Sequence, residues 1–229
     1  MTRTTNARLA GFTFLFYIAA GISSMVVYGK AAAGVGVAAK LASIGQHATA
    51  VGISGLLNLL CGFSAIVLGV SLHGLTRDED RDLAMLAMVC RVAEGVIGAL
   101  SVETTAGLLW LAAGRAPDVQ SAIAIGTHLS IPGAPIAAIF FAVGSTIFCY
   151  LFLRGRLIPV PLAWLGVFSS LILVVALPLQ IVGVVPGLVT SFMVIWMPML
   201  AFELAVAAWL IVKGVAPVPE SPTVPGRDR

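Results

Sequence analysis

The chain has 229 residues, of which 59% are hydrophobic and 10% charged, and its mean hydropathy is +1.06. A soluble domain has about 25% charged residues, so the composition excludes an ordinary soluble protein and predicts a helical protein of the lipid bilayer. The net charge is +3, and the sequence contains no basic cluster interleaved with aromatic residues, so nucleic acid is not an expected partner.

Six apolar segments are long enough to cross a bilayer, which needs about 20 residues. They predict an all-α fold, a polytopic bundle of six transmembrane helices within residues 1–213. The segments are approximately residues 9–28, 48–72, 83–113, 133–153, 158–179 and 188–212. Residues 157–202 carry no charge, so Pro178 and Pro186 are expected to mark a hairpin between the last two helices.

The positive charges between the spans predict the orientation of the bundle. With the N-terminus inside, the inner segments hold nine Lys and Arg residues, and the outer segments hold only Lys30, Lys40 and Arg115. The positive-inside rule therefore favours both termini in the cytoplasm of a bacterial inner membrane. Residues 30–46 form an outer loop that suits a short interfacial helix. Residues 214–229 are rich in proline and predict a disordered cytoplasmic tail.

Motifs of known enzyme and cofactor sites are absent from the sequence. No HExxH, GxSxG, Walker or GxGxxG pattern occurs, and no cofactor is predicted. Cys61, Cys90 and Cys149 all fall within apolar segments and are odd in number, so no disulfide framework is expected.

The third span carries the richest set of polar side chains. Around a helix, Arg91, Glu94, Gly98, Ser101 and Thr105 fall within an arc of about 80°. Because polar groups avoid lipid, this stripe is expected to face the interior of the bundle. Arg91 and Glu94 are three residues apart and can neutralise one another.

The depth of Arg91 in the bilayer stays open at this point. If the span enters the bilayer near Leu83, Arg91 lies well inside and Glu103 reaches the outer interface. If Trp110 marks the outer aromatic belt, Arg91 extends to the inner surface and Glu103 lies nearer mid-depth.

Glu203 is a single carboxylate within the sixth apolar segment, ten residues before Lys213. A charge near the bilayer midplane costs at least about 2.5 kcal/mol by insertion scales, so it marks a site or a buried partner. We expect Glu203 to pair with Arg91, with Glu94 as a competitor, and Pro198 to kink the span. A structural ion pair, a proton or ligand site and a silent neutral carboxyl are all compatible with this position.

The second span carries Asn58 within a stripe of small residues. Ser54, Gly62, Ala65 and Gly69 lie on nearly the same helix face. Small residues allow helices to approach closely, and Asn supplies a hydrogen bond between helices. The stripe therefore predicts a packing surface.

Two histidines begin the second and fourth spans on the outer side. His47 and His128 could approach Glu103, and three such ligands would suit zinc or another transition metal. Nothing in the spacing requires this arrangement. Two solvated interfacial histidines are the simpler interpretation, and no metal is predicted.

Several short motifs along the chain resemble a bacterial family of integral membrane proteins, domain of unknown function 4386. The motifs are Asn-Ala-Arg-Leu-Ala-Gly at 6–11, Asp-Leu-Ala-Met-Leu-Ala at 82–87, Arg-Val-Ala-Glu at 91–94, Ile-Phe-Phe at 139–141, Tyr-Leu at 150–151, Arg-Gly-Arg-Leu-Ile-Pro at 154–159, Phe-Glu-Leu at 202–204 and Trp-Leu-Ile-Val-Lys-Gly at 209–214. The resemblance implies a bundle of about six helices in the cell membrane. It implies no activity.

Three classes of function are compatible with these observations. One is a small-solute or proton-coupled conduit with Arg91, Glu94, Glu203, Asn58 and Ser101 along its interior, expected to work as a homodimer because the chain is small. A second is a non-enzymatic scaffold, sensor or partner subunit whose buried ion pairs are structural. The third is an intramembrane metal-dependent enzyme at the outer histidines. The sequence favours a non-enzymatic role.

Overall fold

The structure is a computed structural model, and it describes residues 2–130, 135–184 and 195–216. Three predicted features lie outside these residues: the start of the fourth span near Gly133, the hairpin residue Pro186 together with the first part of the sixth span, and nearly all of the proline-rich tail. The described part of the chain is helical and contains no strand.

Nine α-helices occur in the described residues, and they comprise both long apolar helices and shorter ones. They are α1 (Arg3–Ala31), α2 (Val37–Gln46), α3 (Ala48–Thr76), α4 (Arg81–Ala99), α5 (Ser101–Ala112), α6 (Val119–Ser130), α7 (Ile136–Arg154), α8 (Val160–Ile181) and α9 (Met197–Val212). Five segments are long and apolar enough to cross a membrane, namely α1, α3, α4 with α5, α7 and α8, and α9 is a shorter apolar helix. The protein is a polytopic helical membrane protein, as predicted.

The third span is interrupted at Leu100, where α4 ends and α5 begins. The Leu100 amide hydrogen-bonds to the Val96 carbonyl at 3.3 Å, and the Glu103 amide hydrogen-bonds to the Leu100 carbonyl at 3.0 Å. Leu100 keeps helical dihedral angles, with φ −62° and ψ −18°. The interruption therefore lies in the hydrogen-bond pattern of the backbone.

Two prolines were singled out by the sequence. Pro178 lies inside α8, which continues to Ile181, so the span does not end at Leu179. Pro198 lies in the first turn of α9, which begins at Met197, and most of the span before it lies outside the described residues, so the kink stays a prediction. The first turn tolerates proline because its backbone amide has no helical partner there.

The loop between α1 and α3 contains the short helix α2, as expected for residues 30–46. A second short helix, α6, was not predicted. Asp118 begins it by accepting hydrogen bonds from the Ser121 backbone amide and hydroxyl, both at 2.8 Å. These bonds hold the pKa of the exposed Asp118 carboxyl below its usual range. α2, α5 and α6 pack together over one end of the bundle.

The long helices α1, α3, α4, α7 and α8 close into a ring together with the shorter α9. Each packs on two neighbours, in the order α1, α3, α4, α7, α8, α9 and back to α1. In this order α4 and α9 lie opposite each other, because two helices separate them on either side of the ring. The main apolar core runs along the ring from the end that carries the termini to Leu177 and Ile195 near the other end, and a smaller core lies under the cap of short helices.

Candidate functional site

A buried charge pair on α4 lies at the centre of the ring. Arg91 is 1% exposed and Glu94 is 6% exposed. Arg91 Nη1 lies 2.8 Å from Glu94 Oε2, one helical turn away. The two groups are not aligned for a hydrogen bond, so the contact between them is an ion pair without a hydrogen bond.

Two aromatic residues complete the surroundings of this pair. The Tyr17 hydroxyl of α1 donates a hydrogen bond of 2.9 Å to Glu94 Oε1. The Arg91 guanidinium carbon lies 5.6 Å from the centre of the Tyr17 ring and 4.9 Å from that of Phe141 on α7. Both distances suit a cation–π interaction. Three helices of the ring therefore converge on one guanidinium.

Sequence analysis missed Tyr17 and Phe141 as members of the site. Phe141 is indistinguishable from a core residue in an apolar span. Tyr17 carried a weak signal, because its hydroxyl sits in the middle of the first span and a buried hydroxyl needs a partner. Which partner it would find could not be predicted without the packing of α1 against its neighbours.

Glu203 enters the same interior from α9. It is 5% exposed, and its Oε1 atom has no hydrogen-bond partner among the described residues. The charges that act on it are those of Arg91 and Glu94. The direct Arg91–Glu203 pair expected from the sequence is not formed: in the described residues, Arg91 makes its only close ion pair with Glu94. Glu94 prevails because it reaches the guanidinium along one helix without crossing the ring.

The central cluster, defined here as Tyr17, Arg91, Glu94 and Glu203, is unbalanced in charge. It contains two carboxyl groups and one guanidinium, and all three are buried. A buried charge is stable only when it is paired and hydrogen-bonded. The second carboxyl therefore lacks a cation of its own within the cluster.

A cavity of about 240 Å³ reaches the cluster at Glu94 and Tyr17. Ala137 and Ala138, in the first turn of α7, and Trp196, directly before α9, also line it. The cavity thus extends from the cluster toward the end of the ring that carries the short helices. Its remaining lining residues are Asn58, Cys61, Gly62, Ala65, Gly95, Gly98 and Phe141. Glu203 is not among the residues that line it.

The other predicted interior residues divide into two groups. Asn58 lines the cavity, and so lies on the same side of α3 as the cluster. Ser101 does not join it, because it is exposed and belongs to α5, beyond the break at Leu100. Of the arc predicted through residues 91–105, Ser101 is exposed, whereas Thr105 lies against Gly55 of α3.

The outer residues His47, His128 and Glu103 do not form a metal site. No group of three His, Cys, Asp or Glu side chains in the described part of the chain could hold a metal ion, and all three residues lie in that part. His47 ends α2, and its Nδ1 atom lies 2.9 Å from the Ser43 carbonyl. These side chains therefore form no such group, and the alternative of a metal-dependent enzyme, which depended on their convergence, loses its basis.

Comparison with known proteins identifies a family and nothing more specific. The model of a family described as Domain of unknown function (DUF4386) matches residues 9–214, which extend from the first turns of α1 to just beyond α9. Searches of curated proteins and of solved structures give no match.

Proposed function

We propose a proton-linked conduit for small polar solutes as the function of this chain, which belongs to the family described as Domain of unknown function (DUF4386). The observation that carries the proposal is the central cluster, in which a cavity ends at Glu94 and a second buried carboxyl, Glu203, lacks a cation of its own. Ionisable groups inside a transmembrane bundle commonly mark proton relays or substrate pathways.

The charge imbalance supports proton exchange at Glu94 and Glu203. A carboxyl without its own cation in a low-dielectric interior is more stable when it binds a proton. Tyr17 and Arg91 hold Glu94 in place, whereas Oε1 of Glu203 has no partner among the described residues. In this proposal Glu203 is the carboxyl that takes up and releases the proton.

The position of the cavity supports access from the outer side. It extends from Glu94 toward the end of the ring opposite Arg3 and Lys213, which is the outer end in the predicted orientation. Toward the other end the interior is filled by buried side chains, among them Phe202, Val206 and Leu210 of α9. In this proposal the cavity is the outer entrance of the conduit, and the packed side chains of α9 close its inner end.

The proposal also includes the location of the protein in the cell. Its long apolar helices are exposed to lipid along their outer faces, and we place it in the bacterial cell membrane with both termini inside. A chain of this size has little room for a wide pathway, so we propose a homodimer as the working unit.

Proton flux into vesicles tests the proposal. The purified protein is reconstituted in liposomes that contain a pH-sensitive dye, and a potassium diffusion potential drives protons inward. The expected result is faster acidification than in protein-free liposomes. Glu203→Gln is expected to slow the protein-dependent rate at least about tenfold, because the second proton-binding carboxyl is lost.

The matched control is Glu103→Gln, which removes an exposed carboxyl from the same span as Glu94. This variant is expected to keep the wild-type rate. Equal rates in protein-containing and protein-free liposomes would reject the conduit, and so would a Glu203→Gln variant that conducts as well as the control.

A second candidate function is that of a non-enzymatic membrane subunit with structural charges. It is favoured by the enclosure of Arg91 between Glu94 and the rings of Tyr17 and Phe141. In that case Glu203→Gln would change the stability of the protein in detergent, and the flux assay would show no protein-dependent rate. The same experiment therefore distinguishes the two functions.

A further inference from the structure

A second polar cavity lies at the opposite end of the ring from the one that reaches Glu94. It measures about 260 Å³ and lies between the first turns of α1 and the end of α9. Its lining residues are Arg3, Thr4, Arg8 and residues 210–216. Every ionisable side chain described in this lining is a cation: Arg3, Arg8 and Lys213.

The fold holds the two walls of this basic cavity close together. α1 and α9 cross tightly at Gly11, where a Cβ atom would lie only 2.8 Å from the Ala207 carbonyl oxygen. After α9 the chain turns at Gly214, whose φ of 73° favours glycine. The Ala216 amide then hydrogen-bonds to the Leu157 carbonyl at 3.1 Å. The segment that forms the floor is therefore anchored at both ends.

The Arg3 guanidinium is the strongest sign of a ligand. Its Nε and Nη1 atoms are buried and have no hydrogen-bond partner among the described residues. Its Nη2 atom reaches only the Leu75 carbonyl, at 3.5 Å. Burying donors of a charged group without acceptors is costly, so such atoms normally face a partner. An anion in the cavity would supply the missing acceptors.

A neighbouring cavity extends the positive surface around the end of α9. It measures about 400 Å³, shares Lys213 and residues 214–216 with the basic cavity, and adds Arg156 and Trp209. Tryptophan is typical of the membrane–water interface. The basic cavity thus opens beside a surface at the depth of lipid headgroups, with more positive charge next to it.

We propose that the basic cavity binds a phosphate group, supplied by the headgroup of an acidic phospholipid or by free phosphate. The guanidinium groups of Arg3 and Arg8 suit the planar, paired hydrogen bonding that phosphate oxygens accept. Basic pockets between transmembrane helices on the cytoplasmic side are suited to acidic lipid headgroups. The proposal is independent of the conduit, because none of its residues belongs to the central cluster.

The test measures binding by the full-length protein in nanodiscs of phosphatidylcholine. Phosphatidylglycerol is titrated in one arm, with bound lipid counted by native mass spectrometry, and inorganic phosphate is titrated in the other by equilibrium dialysis. Saturable binding in the first arm alone identifies a lipid headgroup, and saturable binding of phosphate identifies the free anion. Arg3→Gln/Arg8→Gln is expected to weaken the binding at least about tenfold.

The matched control is Arg77→Gln, which removes an exposed arginine at the same end of the ring without touching the cavity. It is expected to bind as the wild type does. If the double variant does not fold, Lys213→Gln replaces it, since Lys213 is exposed at the cavity and the same direction of change is expected. The proposal is overturned if neither probe binds saturably, or if the cavity variants bind as tightly as the control.

Discussion

Arg91 is the largest side chain that the described interior encloses completely. Its burial is tolerable because Glu94 supplies the opposite charge and two aromatic faces replace part of the lost solvation. Glu94 in turn receives the Tyr17 hydroxyl. Tyr17 therefore acts as a positioning residue, because its hydroxyl holds the Glu94 carboxyl against the Arg91 guanidinium.

Removing the Tyr17 hydroxyl should therefore weaken the fold measurably. Tyr17→Phe is expected to lower the free energy of unfolding by about 0.5–1.5 kcal/mol, the range of hydrogen bonds between transmembrane helices. Unfolding in mixed detergent micelles measures the difference. Tyr150→Phe is the matched control, because Tyr150 is exposed on α7. Equal stability of the two variants would show that the Tyr17 hydroxyl contributes nothing.

At the scale of single residues, contacts along one helix were predictable and contacts across the ring were not. The spacing of Arg91 and Glu94 already indicated mutual neutralisation, and the structure has that pair. The expected Arg91–Glu203 pair required a distance between two helices that spacing cannot supply. The burial of Glu203 away from lipid followed from the cost of a charge in hydrocarbon.

Helix packing depends on glycines at the crossings. α3 and α4 approach so closely that a Cβ atom on Gly62 would lie 2.6 Å from the Gly95 carbonyl oxygen. On Gly69 it would lie 3.0 Å from the Cβ atom of Arg91. The small-residue stripe predicted for the second span is this contact surface. It also brings α3 close to the charged pair.

Substituting Gly62 should push α3 away from α4. Gly62→Ala is expected to lower the free energy of unfolding by about 1–3 kcal/mol, because the added methyl meets backbone that cannot rotate away. Thermal unfolding in detergent measures the change. Gly52→Ala, also in α3, is the control, since no atom lies within 4 Å of the added Cβ. A Gly62→Ala variant as stable as this control would contradict the close approach.

The ends of the helices were harder to predict from the sequence than the presence of the helices. Apolar length alone indicated the long helices, whereas the ends depended on local backbone geometry. Pro178 is accommodated inside α8, and the third span breaks at Leu100 without any proline. Ser101, which was predicted to face the interior, is exposed in the half of the span beyond this break.

The whole molecule is a ring in which the membrane-spanning helices follow one another in chain order. α9 closes the ring by packing against both α8 and α1, which brings the end of the chain back to its beginning. This closure places Glu203 opposite Arg91, and it also forms the basic cavity beside Arg3. Both proposed sites therefore depend on the same long-range contact, which hydropathy cannot reveal.

The central claim is that Arg91, Glu94 and Glu203 form one interacting cluster across this ring. A double-mutant cycle with Arg91→Gln and Glu203→Gln tests it most directly, with the free energy of unfolding in mixed micelles as the readout. Removing Arg91 leaves two uncompensated carboxyls, so adding Glu203→Gln should relieve part of the loss. We predict a coupling energy of at least about 1 kcal/mol. Additivity within about 0.5 kcal/mol would show that Glu203 does not sense Arg91, and would contradict the account.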